Sequence, residues 1–112
     1  MKLPYVPIFV NDYLADTTRL KATANGAYWF LLLEYWRTRG ILQNDEASIM
    51  EIARVNAREW KSVREQVLGF FVIEDGRLVH SRMEKELSRA KYKSEKAEES
   101  ARTRWDKEHA NA

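Results

Sequence analysis

The segment AYWFLLLEYW, residues 27–36, is the feature that most limits how this chain can fold. A surface helix shows one apolar stripe, but this segment is apolar around nearly its whole circumference, with only Glu34 interrupting. Thr23 and Gly40 suit the two ends of a helix from about Thr23 to Arg39. We therefore predict a central helix covered on several sides by the rest of the fold, by the N-terminal arm or by another subunit.

A second constraint is the segment FFVIEDGRLVH, in which apolar residues flank an Asp-Gly dipeptide. Asp-Gly favours a two-residue hairpin turn, because both turn positions need a positive φ. Such a turn pairs Ile73 with Leu78 and Val72 with Val79, so both faces of the hairpin are largely apolar. We expect one face to close the core and the other to contact the C-terminal helix or a second subunit.

Three short elements are predicted between these two features. Ile41 and Leu42 are expected to form a very short strand, followed by helices over residues 46–53 and 57–68. Each helix is preceded by an asparagine or aspartate that can cap it, and a short turn joins the two. The second helix has its apolar residues on one side: Trp60, Val63, Val67 and Leu68.

The order helix, short strand, helix, turn, helix and hairpin is typical of a winged helix-turn-helix. We therefore predict a mainly α fold with a small β-hairpin. An extended N-terminal packing arm is assigned to residues 1–20, where two prolines exclude an early helix. The winged helix-turn-helix core is assigned to residues 21–82. A long charged C-terminal helix with a frayed end is assigned to residues 83–112.

Composition excludes several classes of protein. The chain has 112 residues, 45% of them hydrophobic, which suffices for one hydrophobic core without disulfides or a structural metal. It has no cysteine, two histidines, no glycine-rich phosphate loop and no nucleophile elbow, so we predict no enzyme, metal, cofactor or small-molecule substrate. No apolar run is long enough for a signal peptide or a membrane span, and we expect a cytoplasmic protein.

Three segments resemble the YdaU-like family of phage and prophage proteins, a domain of unknown function: PYVPIFVNDYLADT, GAYWFLLLEYWRTRGIL and FFVIEDGRLVHSRMEKEL. The spacing between the segments also agrees, and the resemblance extends to about Ala90. It implies a winged-helix fold, a phage or prophage origin and a role near the initiation of DNA replication. It brings no catalytic residues with it.

The helix over residues 57–68 offers a polar face to DNA. Successive residues of a helix are rotated by about 100° around its axis. If Trp60 marks the centre of the buried side, five side chains point outward: Arg58, Lys61, Ser62, Glu65 and Gln66. Arg58 and Lys61 suit phosphates or guanine, and Gln66 suits adenine. Arg54, in the preceding turn, is predicted to reach a backbone phosphate. The alternative is a solvated helix face of ordinary mixed charge.

The other candidate surface is apolar. The hairpin tip, EDGR, carries two acids and one base, which is unfavourable beside phosphates. His80 is expected to be a packed hairpin residue. In the C-terminal helix, Met83 and Leu87 begin a weak heptad-like seam of mostly small residues that ends at Trp105. The predicted partner or dimer interface consists of large apolar residues: Trp29, Trp36, Phe70, Val72, Leu87 and Trp105.

Two functions remain open at this point. The first is a phage- or prophage-derived winged-helix protein that binds DNA, as a dimer, in replication initiation or regulation. The second is a winged-helix module that binds protein, either a replisome component or a host factor that it inhibits. The partners expected are accordingly DNA, a second copy of the chain, or a phage or host protein.

Overall fold

A computed structural model describes residues 5–110 of the chain, with side chains described to residue 109. The first residues of the predicted N-terminal arm and the last two of the predicted frayed end lie outside this range. The described chain forms five helices and one antiparallel hairpin. In chain order these are α1 (Val10–Asp16), α2 (Ala22–Arg37), α3 (Glu46–Ala53), α4 (Ala57–Leu68), β1 (Val72–Glu74), β2 (Arg77–Val79) and α5 (Ser81–Ala110).

The central position predicted for the first long helix is confirmed by α2. This helix packs against α3, α4 and α5, and its side chains Leu31 and Tyr35 are fully buried. It ends at Arg37, slightly earlier than predicted, because Arg39 and Gly40 both adopt a positive φ. The Gly40 N–H then donates to the Tyr35 carbonyl at 2.8 Å, which closes the last turn.

The helices α3 and α4 have the predicted bounds, and side chains cap both of them. The Asp45 carboxylate accepts from the backbone N–H of Ser48 at 3.1 Å. At α4, Asn56 accepts from the Glu59 N–H at 2.8 Å, and the Glu59 carboxylate accepts from the Asn56 N–H at 2.9 Å. This reciprocal capping box fixes the start of α4 by interactions within a few residues of sequence.

The hairpin has the predicted register, with Val72 opposite Val79 and Ile73 opposite Leu78. The segment between α2 and α3 lies along β2, where the Leu78 N–H donates to the Leu42 carbonyl at 2.7 Å. The short strand predicted at Ile41 and Leu42 does not form. In its place the segment makes a single isolated bridge to β2, between Gln43 and Arg77.

The hairpin is only partly covered within one chain. On its inner face Leu78 is buried but the opposite residue, Ile73, is 58% exposed, and on its outer face Val72 is 59% exposed. The helix α5 begins directly after β2 and buries Met83 and Leu87, and it packs on α2. The helix α5 therefore leaves Val72 exposed, although the outer face was predicted to contact the C-terminal helix or a second subunit.

The N-terminal arm differs from its prediction, because residues Val10–Asp16 form a helix. Pro7 excludes a helix only around its own position, so the chain becomes helical three residues later. The arm packs through Tyr13, which is the one half-buried residue of this helix. The Tyr13 hydroxyl donates to the Asn25 side chain at 2.6 Å, and the Tyr13 ring stacks with Tyr28.

The helix α5 continues to Ala110 and includes residues that we expected to be frayed. From residue 81 to residue 110 the sequence has no glycine or proline and is rich in Glu, Lys, Arg and Ala, which favour helix. None of the helices within residues 5–110 is both long and apolar enough to cross a membrane.

The burial of α3 against α2 gives a stability prediction. Ile49 is completely buried, while Ile41 is 55% exposed. We expect Ile49→Ala to lower the free energy of unfolding by about 2–5 kcal/mol, because it removes buried methyl groups and leaves a cavity. Ile41→Ala removes the same atoms and should cost less than about 1 kcal/mol. Urea denaturation of both variants measures the difference, and equal losses would contradict this packing.

Candidate nucleic-acid interface

The outward face of α4 has the orientation predicted from the sequence. Trp60, Val63 and Val67 are buried against the rest of the fold. The four residues predicted to contact DNA from this helix are all exposed: Arg58, Lys61, Ser62 and Gln66. Glu65 is exposed among them, so the face carries two cations and one carboxylate near its centre.

Ser62 and Gln66 differ in how freely they can reach a ligand. The Ser62 hydroxyl donates to the Glu59 carbonyl at 2.7 Å, one turn back along the helix. Its oxygen is still able to accept a hydrogen bond from a ligand. Gln66 lies one turn further on and is exposed. Both donor and acceptor atoms of its amide can therefore point outward.

Arg54 lies in the turn between α3 and α4, as predicted, but its side chain packs against α2. Its guanidinium carbon lies 4.1 Å from the centre of the Phe30 ring, a cation–π contact. Its backbone is left-handed, with φ 60°, at the C-terminal end of α3. Arg54 therefore terminates α3 through its backbone. The contact with the Phe30 ring fixes the position of its guanidinium group.

Glu46 joins the start of α3 to the middle of α4. One carboxylate oxygen accepts from Arg64, and the other accepts from the indole N–H of Trp60 at 3.0 Å. The bond from Arg64 holds the pKa of Glu46 below its usual value. Because Arg64 is engaged in this way, Arg58 and Lys61 supply the positive charge of the outward face. No local sequence signal marks Glu46, since its partners lie 14 and 18 residues further along.

His80 is buried, as expected of a packed hairpin residue, and it is also the N-cap of α5. Its carbonyl accepts from the Glu84 N–H at 2.9 Å, and its Nδ1 accepts from the Met83 N–H at 3.2 Å. Because Nδ1 accepts, a neutral ring carries its proton on Nε2. That Nε2–H then donates to the Tyr28 hydroxyl, at 2.8 Å.

The His80 network ties α5 to α2 through two tyrosines. The His80 backbone N–H donates to the Tyr35 hydroxyl at 3.2 Å, and that hydroxyl donates to Glu84. Burial, aided by the hydrogen bond to Glu84, raises the pKa of Tyr35 to about 12. Burial also lowers the pKa of His80, and nearby Arg82 lowers it further. The imidazole is therefore held neutral where it caps the helix.

The residues predicted to form a partner interface fall into three groups. Trp36 and Leu87 lie in the core, and packing within one chain accounts for their burial. Phe70 is half-buried and stacks on Tyr28 with ring centres 4.2 Å apart. The half-buried Trp29 lines an open apolar groove, and the remaining two, Val72 and Trp105, are exposed.

The hairpin tip keeps the charge pattern seen in the sequence. Glu74, Asp75 and Arg77 are all exposed, so the tip presents two acids and one base to solvent. Within the described part of the chain, no group of three or more His, Asp and Glu residues could hold a metal ion.

Residues 4–88 match the family described as "Protein of unknown function (DUF1376)", and the chain belongs to this family. The chain is also 34% identical over 91 residues to the uncharacterized protein YdaU of Escherichia coli strain K12. That alignment covers 81% of this chain and 31% of YdaU, so the chain spans about a third of the length of this relative. The predicted YdaU-like family is thereby confirmed. No solved structure matches the chain.

The neutral His80 cap gives a pH prediction. In the unfolded chain a histidine has a pKa of about 6.5, whereas the folded pKa of His80 is lower. Below about pH 6.5 the unfolded state therefore binds more protons than the folded state. The contribution of neutral His80 to the free energy of unfolding is complete above about pH 6.5 and is lost as the pH falls through the lower, folded pKa. We expect the free energy of unfolding, measured in urea, to fall between about pH 7 and pH 5.5.

Two variants separate His80 from other titrating groups. His80→Asn keeps a cap acceptor but does not titrate, and it should flatten the pH dependence in this range. His109→Asn removes the exposed histidine on α5 and should leave the slope as in the native chain. A slope that persists in His80→Asn would show that another group causes it.

Proposed function

We propose that this chain is a winged-helix DNA-binding protein in which α4 is the recognition helix. The observation that carries the proposal is the division of α4 into a buried apolar side and an exposed side with Arg58, Lys61, Ser62 and Gln66. An α-helix fits the major groove, which is roughly 12 Å wide, and can present such side chains to base edges and phosphates.

The arrangement around α4 supports this proposal. Two capped helices, α3 and α4, are joined by the short turn at Arg54, Val55 and Asn56, as in a helix-turn-helix. The hairpin follows directly, and the segment at Leu42 to Asn44 hydrogen-bonds beside it through an isolated bridge, at the position where a winged helix has its third strand. A link to phage or prophage DNA replication, in initiation or regulation, is supported by the resemblance of the three sequence segments described above.

In this proposal the basic residues have different tasks. Arg58 and Lys61 lie on the exposed face of α4 and would contact phosphates or guanine. Arg54, held over the Phe30 ring, would contact a phosphate beside the turn. The acidic hairpin tip is repelled by phosphate, so the hairpin contributes to assembly of the fold and not to DNA affinity.

A second candidate function is supported by the outer face of the sheet. The register of the strands places Ile41 and Val72 on either side of Val79, across three neighbouring segments. Ile41 and Val72 are exposed, and Val79 is half-buried. An exposed row of β-branched residues is a surface that a protein partner can cover. This candidate is a protein-interaction module that binds a replisome component or inhibits a host factor.

Salt-dependent binding tests the DNA-binding proposal. Affinity for duplex and single-stranded DNA is measured from about 50 to about 200 mM salt for the native chain and for Arg58→Ala/Lys61→Ala. We expect affinity for duplex DNA to fall steeply with salt. The double variant should reduce the slope of log affinity against log salt by about 2, because two phosphate contacts are lost.

The matched control is Lys91→Ala/Lys93→Ala, which removes the same charge from α5. It should change the slope by much less than the α4 variant. Equal effects of the two variants would show that net charge, and not the face of α4, drives binding. A native chain that binds neither form of DNA at low salt would reject the DNA-binding proposal and favour the protein-interaction module.

A further inference from the structure

The exposed side of α4 has a carboxylate near its centre. Successive residues of a helix are rotated by about 100° around its axis, so the direction opposite the buried residues of α4 falls between Arg58 and Glu65, within about 15° of each. Three other exposed side chains lie toward the flanks of this face, about 45° to 90° from its centre: Lys61, Ser62 and Gln66. If this face enters a major groove, Arg58 and Glu65 therefore point most directly toward the base edges.

The central row of this face consists of Arg58, Ser62 and Glu65, one residue in each turn of α4. At 1.5 Å per residue, the 12 residues of the helix extend over about 18 Å, with Ser62 at the middle. In zinc fingers, reading positions spread over about two turns of one helix contact three successive bases. Arg58 and Glu65 are also separated by about two turns, so one helix in the groove can bring both of them to base edges.

The Glu65 carboxylate has no partner among residues 5–109. It accepts no hydrogen bond there and makes no ion pair. The two other carboxylates beside α4 are engaged, since Glu46 bonds two of its side chains and Glu59 completes the capping box at its start. Of these three carboxylates, Glu65 is therefore the one available to a ligand.

The stability of α4 does not account for a glutamate at this position. Glu65 lies in the last turn of the helix, where the helix dipole disfavours a negative charge. Lys61 lies one turn earlier on the same side, but a lysine that precedes a glutamate is the weaker order for a helical ion pair. The two side chains do not form an ion pair in this structure.

The chemistry of a carboxylate limits what Glu65 can bind on DNA. An ionised carboxylate only accepts hydrogen bonds, and phosphates repel it because they are negatively charged acceptors. In the major groove, guanine presents two acceptors, thymine presents an acceptor and a methyl group, and adenine presents a donor beside an acceptor. Cytosine presents the donor of its 4-amino group with no acceptor beside it. Cytosine is therefore the base whose exposed edge suits a single carboxylate best.

We propose that Glu65 is the specificity residue of α4, and that it reads a cytosine in duplex DNA by accepting a hydrogen bond from the 4-amino group in the major groove. This inference rests on the proposed DNA binding through α4 and names the class of duplex that the site takes. On a site without this cytosine the carboxylate meets acceptors and phosphates, so its charge weakens binding. Glu65 thus discriminates both by attraction to one base and by repulsion from the others.

Selection from a pool of random duplexes tests this role. The native chain and Glu65→Ala each enrich the DNA that they retain at about 100 mM salt, and the enriched sequences are compared. We expect the native site to contain one position fixed as cytosine, and Glu65→Ala to lose the preference at that position and keep it elsewhere. On the selected site, the dissociation constant of the native chain should rise by about 10-fold or more when another base replaces this cytosine, against about twofold or less for Glu65→Ala.

Glu65→Gln separates base reading from simple charge repulsion. Glutamine carries both a donor and an acceptor and pairs with N6 and N7 of adenine. We expect the preference at the same position to change from cytosine to adenine. A carboxylate that acted only by repelling phosphate would instead give both variants the same gain in affinity for every duplex, with the selected site unchanged.

The matched control is Glu95→Ala, which removes an exposed glutamate from α5. It should leave the selected site as it is in the native chain. Circular dichroism checks that each variant is folded, which we expect because Glu65 is exposed and alanine favours helix.

The results distinguish this inference from the function on which it rests. A native chain that retains no duplex from the pool would reject the DNA-binding proposal, and this inference with it. A native chain that retains duplexes but enriches no sequence would overturn the role of Glu65 and leave DNA binding in place. A selected site that is the same for the native chain and Glu65→Ala would overturn the role of Glu65 in the same way.

Discussion

The burial of α2 against three other helices is the interaction on which the rest of the structure depends. Leu31 and Tyr35 are fully enclosed, and α3, α4 and α5 each pack on this helix. A helix that is apolar around its circumference cannot remain at the surface without a large loss of hydrophobic free energy. The other elements are therefore arranged around α2, and α1 covers part of the remaining side through Tyr13.

Two polar links then fix the elements that the proposed functions require. Glu46 bonds both Trp60 and Arg64, so the start of α3 and the middle of α4 are held together and the outward face of α4 keeps one orientation. His80 performs the corresponding task at the other end of the fold, where it caps α5 and bonds Tyr28. A rigid body thus carries both the exposed face of α4 and the base of α5.

The extent of the family match agrees with this division of the molecule. The matched segment, residues 4–88, contains α1 to β2 and the first turns of α5, which are the parts that enclose α2. Most of α5 lies beyond it. The packing around α2 therefore belongs to the segment that defines the family.

Local interactions explain which features could be predicted from the sequence. The bounds of α3 and α4 depend on caps at Asp45 and Asn56, and the hairpin register depends on the Asp-Gly turn, so neighbouring residues determined them. The outward set on α4 followed from helical periodicity once Trp60 was taken as buried. Tertiary structure alone decided which residues of the hairpin are covered, and that Glu46 and His80 act as links. Each of these depends on contacts between residues far apart in the chain, and no local pattern specifies which distant partner a side chain will meet.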